Sequence, residues 1–202
     1  MFEKPSNGKR TATPGWYNTA AYEEEAQKAG LYAKSINGDA FSKAVKEETI
    51  ALIKRDWGKA DMVIYSLAAP RRTDTQGKTW VSALKTTGKP FTEKSMDLRN
   101  HTIVTKTVEP AAEEEVEGTK KVMGGEDWLD WIKALKVADV LEDNALTVAY
   151  SYIGPRLTYP IYYDGTIGQA KRHLEKTARV IREEFPDVRA LISVNKALVT
   201  QA

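Results

Sequence analysis

Three short apolar runs punctuate the chain: Met62-Val-Ile-Tyr-Ser-Leu-Ala68, Ala145-Leu-Thr-Val-Ala-Tyr-Ser151 and Val188-Arg-Ala-Leu-Ile-Ser-Val194. Each has strand length and little polar alternation, the pattern of a parallel strand buried on both faces. The stretches between them follow a helical period. Residues 126–138 carry Trp128, Leu129, Ile132, Leu135 and Val137, and residues 167–185 carry Ile167, Ala170, Leu174, Ala178 and Ile181. Strand, helix, strand, helix, strand in this order predicts right-handed βαβ crossovers and an open parallel sheet, an α/β fold.

The remaining pattern is less regular. Residues 1–15 read as loop, and residues 19–29 are Ala- and Glu-rich and predict a helix that stops at Gly30. Residues 31–36 alternate and predict a short strand. Asn37-Gly38-Asp39 reads as a turn, and residues 41–56 as a helix. Residues 76–108 have mixed β character and predict a hairpin-like excursion within one domain spanning 1–202. Pro110 and the acidic run 113–117 suit a helix N-terminus and its dipole, and Gly124-Gly125 break that helix.

Composition narrows the function classes. The 202 residues include no Cys, which removes disulfide scaffolds and cysteine zinc sites. A formal charge of +2 offers little attraction for phosphate backbones, so no nucleic-acid partner is expected. No apolar run reaches the roughly 18 residues of a membrane helix, so no membrane partner is expected either. The two histidines, His101 and His173, are too few and too scattered for a metal site, and none is expected. Absent cysteines and the absence of a signal-like start favour the cytoplasm.

In open parallel sheets, ligands bind outside the carboxyl ends of the strands. Asp39, after the 31–36 segment, can accept a hydrogen bond from an adenine amino group or can cap the next helix. Leu67-Ala68-Ala69-Pro70 ends a strand with small residues that admit a flat ligand or simply pack tightly. Arg71-Arg72 can attract a phosphate or lie in a solvated loop. The richest stretch is 150–171, with five tyrosines, two prolines and three glycines directly after a buried strand. Tyr162 and Lys171 lie nine positions apart and would face opposite ways on one helix. They converge only if Tyr162 precedes the helix and folds back, with Asp164 as the cap. A phenol and an ammonium meeting beside a nicotinamide can deliver a proton and bind ribose hydroxyls. Alternatively, the loop is an aromatic packing surface and Lys171 a solvated helix residue.

The chain closely resembles the NADH-dependent trans-2-enoyl-CoA or acyl-carrier-protein reductases of the FabV type. The resemblance runs from Phe2 to Ala202. Its blocks are Phe-Glu-Lys-Pro at 2–5, Gly-Trp-Tyr-Asn at 15–18, Leu-Tyr-Ala-Lys-Ser-Ile-Asn-Gly-Asp-Ala-Phe-Ser at 31–42, Tyr-Ser-Leu-Ala at 65–68, Val-Met-Gly-Gly at 122–125, Tyr-Ser-Tyr-Ile-Gly at 150–154, Pro-Ile-Tyr at 160–162 and Leu-Val-Thr-Gln-Ala at 198–202. The family is a distant relative of short-chain dehydrogenases, with Tyr-x8-Lys in place of Tyr-x3-Lys, here Tyr162 and Lys171.

The resemblance implies a Rossmann-like sheet and an NADH cofactor. It implies Tyr162 as proton donor, Lys171 as its cofactor-binding partner and Tyr152 as a contact of the acyl thioester. It places Phe2 and Glu3 at the end of the second strand. There the Glu3 carboxylate would accept from an adenosine 2′-hydroxyl and repel a 2′-phosphate. It makes Asp39 and Ala40 adenine contacts and Leu67 and Ala68 ribose or nicotinamide contacts. Leu198, Val199 and Thr200 become the loop over the nicotinamide amide. The implied substrate is an enoyl-CoA or enoyl-acyl-carrier-protein, and the implied full-length form a monomer. Two departures stand out: Tyr163 replaces a common Trp, and no G-x-G-x-x-G run occurs anywhere. The family's phosphate loop, first strand and first helix would precede Phe2, and further helices would follow Ala202. The expectation is therefore an incomplete sheet lacking its first βαβ portion, binding NADH weakly on its own. The competing expectation is a non-catalytic truncated α/β module; an ordinary nucleotide-binding domain of other chemistry is the third.

Overall fold

The computed structural model describes residues 3–67, 69–97 and 99–197. Helix α1 (Pro14–Lys28) starts five residues before the Ala/Glu-rich stretch, because Pro14 supplies a pre-set φ where no N–H is needed. Gly30, at φ +70°, takes the left-handed position after it. Residues 31–36 form no strand: no ladder partner lies beside them among the described residues. Alternation gives a strand only when a neighbour supplies its hydrogen bonds. Helix α2 (Lys43–Asp56) is capped by Ser42, whose Oγ accepts from the Val45 N–H at 3.2 Å. Asp39, the cap expected from sequence, instead accepts from the Phe41 N–H at 3.0 Å and tightens the preceding turn.

Strand β1 (Ala60–Tyr65) leads into two hairpins, β2–β3 (Arg71–Thr73, Thr79–Val81) and β4–β5 (Phe91–Asp97, Thr102–Val108). The first hairpin begins at Arg71, earlier than expected: Arg71 and Arg72 pair with Val81 and Trp80. Helix α3 (Glu113–Met123) has three glutamates in its first turn, and Glu115 accepts from the Ala112 N–H at 2.9 Å. Helix α4 (Glu126–Val137), strand β6 (Leu141–Ser151), helix α5 (Thr166–Glu184) and strand β7 (Arg189–Val194) complete the order.

Strands β1, β6 and β7 form a parallel sheet in that order, with Ile64 opposite Val148 and Val148 opposite Leu191. All five apolar positions read from the α5 pattern are buried. On α4, Trp128, Ile132 and Leu135 are buried, but Val137 is 90 % exposed. Nine steps of about 100° put it opposite Trp128. These helices cover the sheet face that displays Ala145, Thr147, Ala149 and Ala190, where small side chains make room for Trp128 and Ile132. The strands are not buried on both faces as their composition suggested. Met62, Ile64 and Leu191 occupy the other face and are about half exposed.

Candidate functional site

Strands β1 and β6 run side by side and end at neighbouring points, Tyr65 pairing with Ala149 and Ser151 closing β6. Beyond those ends lies a cavity of about 170 Å³ whose walls include Tyr65, Leu67, Ser151, Tyr152 and Lys171. Lys171 is the sixth residue of α5. Its Nζ donates to the Tyr150 carbonyl at 3.5 Å, a long bond and its only partner among the described residues. Burial holds its pKa below the ordinary lysine value of 10.5. The Ser151 hydroxyl is buried on the same wall and has no partner among the described residues. An under-partnered ammonium and an orphaned hydroxyl in one cavity suit a ligand rich in hydroxyls.

Tyr162 precedes α5, the condition under which it could meet Lys171 across the nine-residue spacing. It lies in a tight turn in which its N–H donates to the Thr158 carbonyl at 2.9 Å. The Tyr162 ring meets Tyr152 edge-on, 5.2 Å between centroids. Tyr152 also lines the cavity that holds Lys171, and no hydrogen bond joins Tyr162 to Lys171 among the described residues. Asp164 is not the helix cap: Gly165 holds the N-cap position, while the Asp164 carbonyl accepts from the Thr87 hydroxyl. The turn is clamped onto α5 by Arg172, which donates to the Tyr163 carbonyl at 3.1 Å, and by the absence of a side chain at Gly168. A Cβ at Gly168 would overlap the Tyr163 carbonyl and lie 2.7 Å from the Tyr162 carbonyl oxygen.

Glu3, another of the expected residues, is held by Asn37, which was not among them. Glu3 and Asn37 exchange hydrogen bonds, the Glu3 N–H to Asn37 Oδ1 at 3.2 Å and Asn37 Nδ2 to the Glu3 carbonyl at 2.7 Å. This ties the Glu3 segment to the turn carrying Asp39 and Ala40. The Glu3 carboxylate accepts from the Thr13 hydroxyl. Phe2, Ala68, Leu198, Val199 and Thr200 lie outside the described residues.

Sequence reasoning missed the polar core beneath this site. Lys46 and Asp127 form an ion pair of 2.7 Å, side chains 10 % and 2 % exposed. The second Asp127 oxygen accepts from Tyr65 Oη at 3.2 Å. Arg72 is neither a phosphate lure nor solvated: it is 3 % exposed and donates to the Lys121 carbonyl at 2.8 Å, beside Glu126 and Asp130. The only sequence hint was that Lys46 and Asp127 sit on otherwise periodic helices. Their pairing across 81 positions is a tertiary fact.

The family model for the "trans-2-enoyl-CoA reductase catalytic region" matches residues 10–202. Over its whole length the chain is 56 % identical to the trans-2-enoyl-CoA reductase [NADH] of Clostridium perfringens, covering 52 % of that protein. It is 55 % identical to an enoyl-[acyl-carrier-protein] reductase [NADH] of Flavobacterium johnsoniae, again covering 52 %. The chain therefore spans about half the length of the curated relatives it matches. Its structure matches the crystal structure of Treponema denticola trans-2-enoyl-CoA reductase in complex with NAD at a TM-score of 0.95 and 48 % identity, covering 99 % of this chain and 50 % of that one. FabI from Alistipes finegoldii, at 18 % identity and a TM-score of 0.54, covers 92 % of this chain and 59 % of its own, and shares the α/β fold alone. On this identity and this family match, the chain belongs to the trans-2-enoyl-CoA reductase family.

Proposed function

We propose that this chain forms the catalytic half of an NADH-dependent enoyl thioester reductase. The observation that carries the reading is the strand-end cavity with under-partnered Lys171 and Tyr152 on its wall, Tyr152 in turn packing edge-on against Tyr162. Bound NADH supplies a hydride to C3 of a trans-2-enoyl thioester, and C2 gains a proton, leaving the saturated acyl thioester and NAD⁺. Tyr162 donates a hydrogen bond to the thioester oxygen and supplies the proton, a role within the range of a positioned phenol. Tyr152 packs against the acyl thioester. The Lys171 ammonium binds nicotinamide ribose hydroxyls, which its single long contact leaves it able to do.

At the other end of the cofactor, Asp39 and Ala40 hold adenine, and Phe2 and Glu3 hold the adenosine ribose. A carboxylate there selects NADH over NADPH by repelling a 2′-phosphate. Leu67 and Ala68 contact ribose or nicotinamide, and Leu198, Val199 and Thr200 close over the nicotinamide amide. The substrate is an enoyl-CoA or an enoyl-acyl-carrier-protein. The unpaired segment 31–36 supports a larger Rossmann-like sheet of which these residues form part. We extend the reading to a cytoplasmic, monomeric enzyme acting apart from nucleic acid and membranes; no helix described is long and apolar enough to cross a bilayer.

The test is NADH oxidation at 340 nm with crotonyl-CoA, using the full-length protein that carries this sequence. Tyr162→Phe is expected to lower kcat by at least about 100-fold, the scale of a lost general acid, with an unchanged fold. Unchanged turnover in that variant overturns the assignment of Tyr162.

A further inference from the structure

Beneath the turn that holds Asp39 and Ala40, one buried lysine uses all its donors. Lys46, the fourth residue of α2, donates to Asp127 Oδ1 at 2.7 Å, to the Phe41 carbonyl at 3.0 Å and to the Ala40 carbonyl at 3.3 Å. An ammonium has three N–H bonds, and each has an acceptor here. Trp131 on α4 adds a fourth tie, its indole N–H donating to the same Ala40 carbonyl at 3.1 Å. Both acceptor positions of that carbonyl are thereby committed inside the protein, so the Ala40 peptide cannot turn over. Asp127, 1 % exposed at the start of α4, bonds to Tyr65 at the end of β1 with its other oxygen. One carboxylate thus joins the turn after residues 31–36 to the strand end that walls the Lys171 cavity.

We propose that the Lys46–Asp127 pair, with Trp131, positions the adenine end of the dinucleotide relative to its nicotinamide end. The inference rests on the cofactor reading above and deepens it. None of the three residues is assigned a contact with cofactor or substrate; they act through Ala40 and Tyr65. Burying an ion pair where an apolar pair would pack as well adds little stability. What it adds here is direction: a charged donor aimed at two consecutive carbonyls sets the plane of the turn. An adenine hydrogen bond to that turn loses strength steeply once its angle departs from linear.

The experiment compares NADH with reduced nicotinamide mononucleotide, which lacks the adenosine half, in the full-length enzyme. Lys46→Met and Trp131→Phe are tested against wild type with crotonyl-CoA as acceptor. In Lys46→Met the KM for NADH is expected to rise about tenfold or more, the scale of one lost hydrogen bond to a charged group, with kcat within about twofold. Trp131→Phe, which deletes a neutral donor and buries no orphan charge, is expected to raise it about threefold. In both, the KM for the mononucleotide is expected to stay within about twofold, because no adenosine is there to misplace. Equal rises for both nucleotides, or a fall in kcat alone, would assign the pair a general structural role and overturn the proposal. If Lys46→Met does not fold, Trp131→Phe decides, and an unchanged KM for NADH in it overturns the proposal alone. A wild-type enzyme that oxidises neither nucleotide overturns the cofactor reading itself.

Discussion

Replacing Gly168 with alanine separates packing from catalysis more sharply than any substitution of a polar residue. Gly168 is the third residue of α5, one turn before Lys171. In an ordinary helix, Gly→Ala stabilises by about 1 kcal/mol. Here the added methyl would overlap the Tyr163 carbonyl and lie 2.7 Å from that of Tyr162, where ordinary contact begins at 3.4 Å. The nearest atom is the Tyr163 carbonyl oxygen, so close that either the turn yields by well over an ångström or the start of α5 unwinds. Overpacking of this kind costs about 1–3 kcal/mol, which offsets the helix gain and leaves a net loss of about 0–2 kcal/mol. The displaced turn carries Tyr162, and misplacing a catalytic group by about 1 Å costs on the order of 100-fold in rate. Gly168→Ala is therefore expected to keep most of its stability and lose most of its kcat. Urea denaturation and steady-state NADH oxidation with crotonyl-CoA measure the two on one preparation. A folded variant with kcat within about threefold of wild type would show that the turn absorbs the methyl, and the close-approach argument would fall.

Other consequences are smaller in scope. Trp128 is fully buried, stacks on Tyr65 and donates its indole N–H to Thr147 Oγ1 at 2.9 Å. Trp128→Phe removes that bond and leaves a void, and is expected to cost about 2–3 kcal/mol in equilibrium unfolding; a loss below about 1 kcal/mol would refute its place at the centre of the core. His173 Nδ1 accepts from the Gly125 N–H at 3.0 Å at the start of α4, and burial lowers its pKa from 6.5. Between the lowered folded value and 6.5 the unfolded chain holds more protons, so this group's contribution to stability rises with pH through that window and is lost as pH falls through it. His173→Gln is expected to flatten the stability profile just below pH 6.5, and identical denaturation midpoints against pH in both proteins would dismiss the coupling.

Periodicity made much of this fold legible. The apolar stripe of α5 and the runs in β1, β6 and β7 need only local geometry, since side-chain direction follows from 3.6 or 2 residues per repeat. The condition that Tyr162 must precede α5 if it is to meet Lys171 used the same geometry, and Tyr162 does lie before that helix. Pairing was not legible. Residues 31–36 alternate as a strand should, yet they form no ladder among the described residues, because a strand exists only with a neighbour. The burial of Arg72 and Lys46 was equally hidden. A charge in a sequence reads as solvated until a partner distant along the chain removes it from water.

The sequence by itself determined the helices α4 and α5, the three apolar strands that run parallel, the chemistry gathered at 150–171 and the family blocks that name the residues to examine. Tertiary structure alone decided which sheet face is covered and that Ser42, not Asp39, caps α2. It also decided that Asp127 links Lys46 to Tyr65 beneath the candidate cofactor site. The division has one cause: local periodicity acts over a few residues, whereas desolvation, ion pairing and ladder formation depend on residues that meet only when the chain has folded.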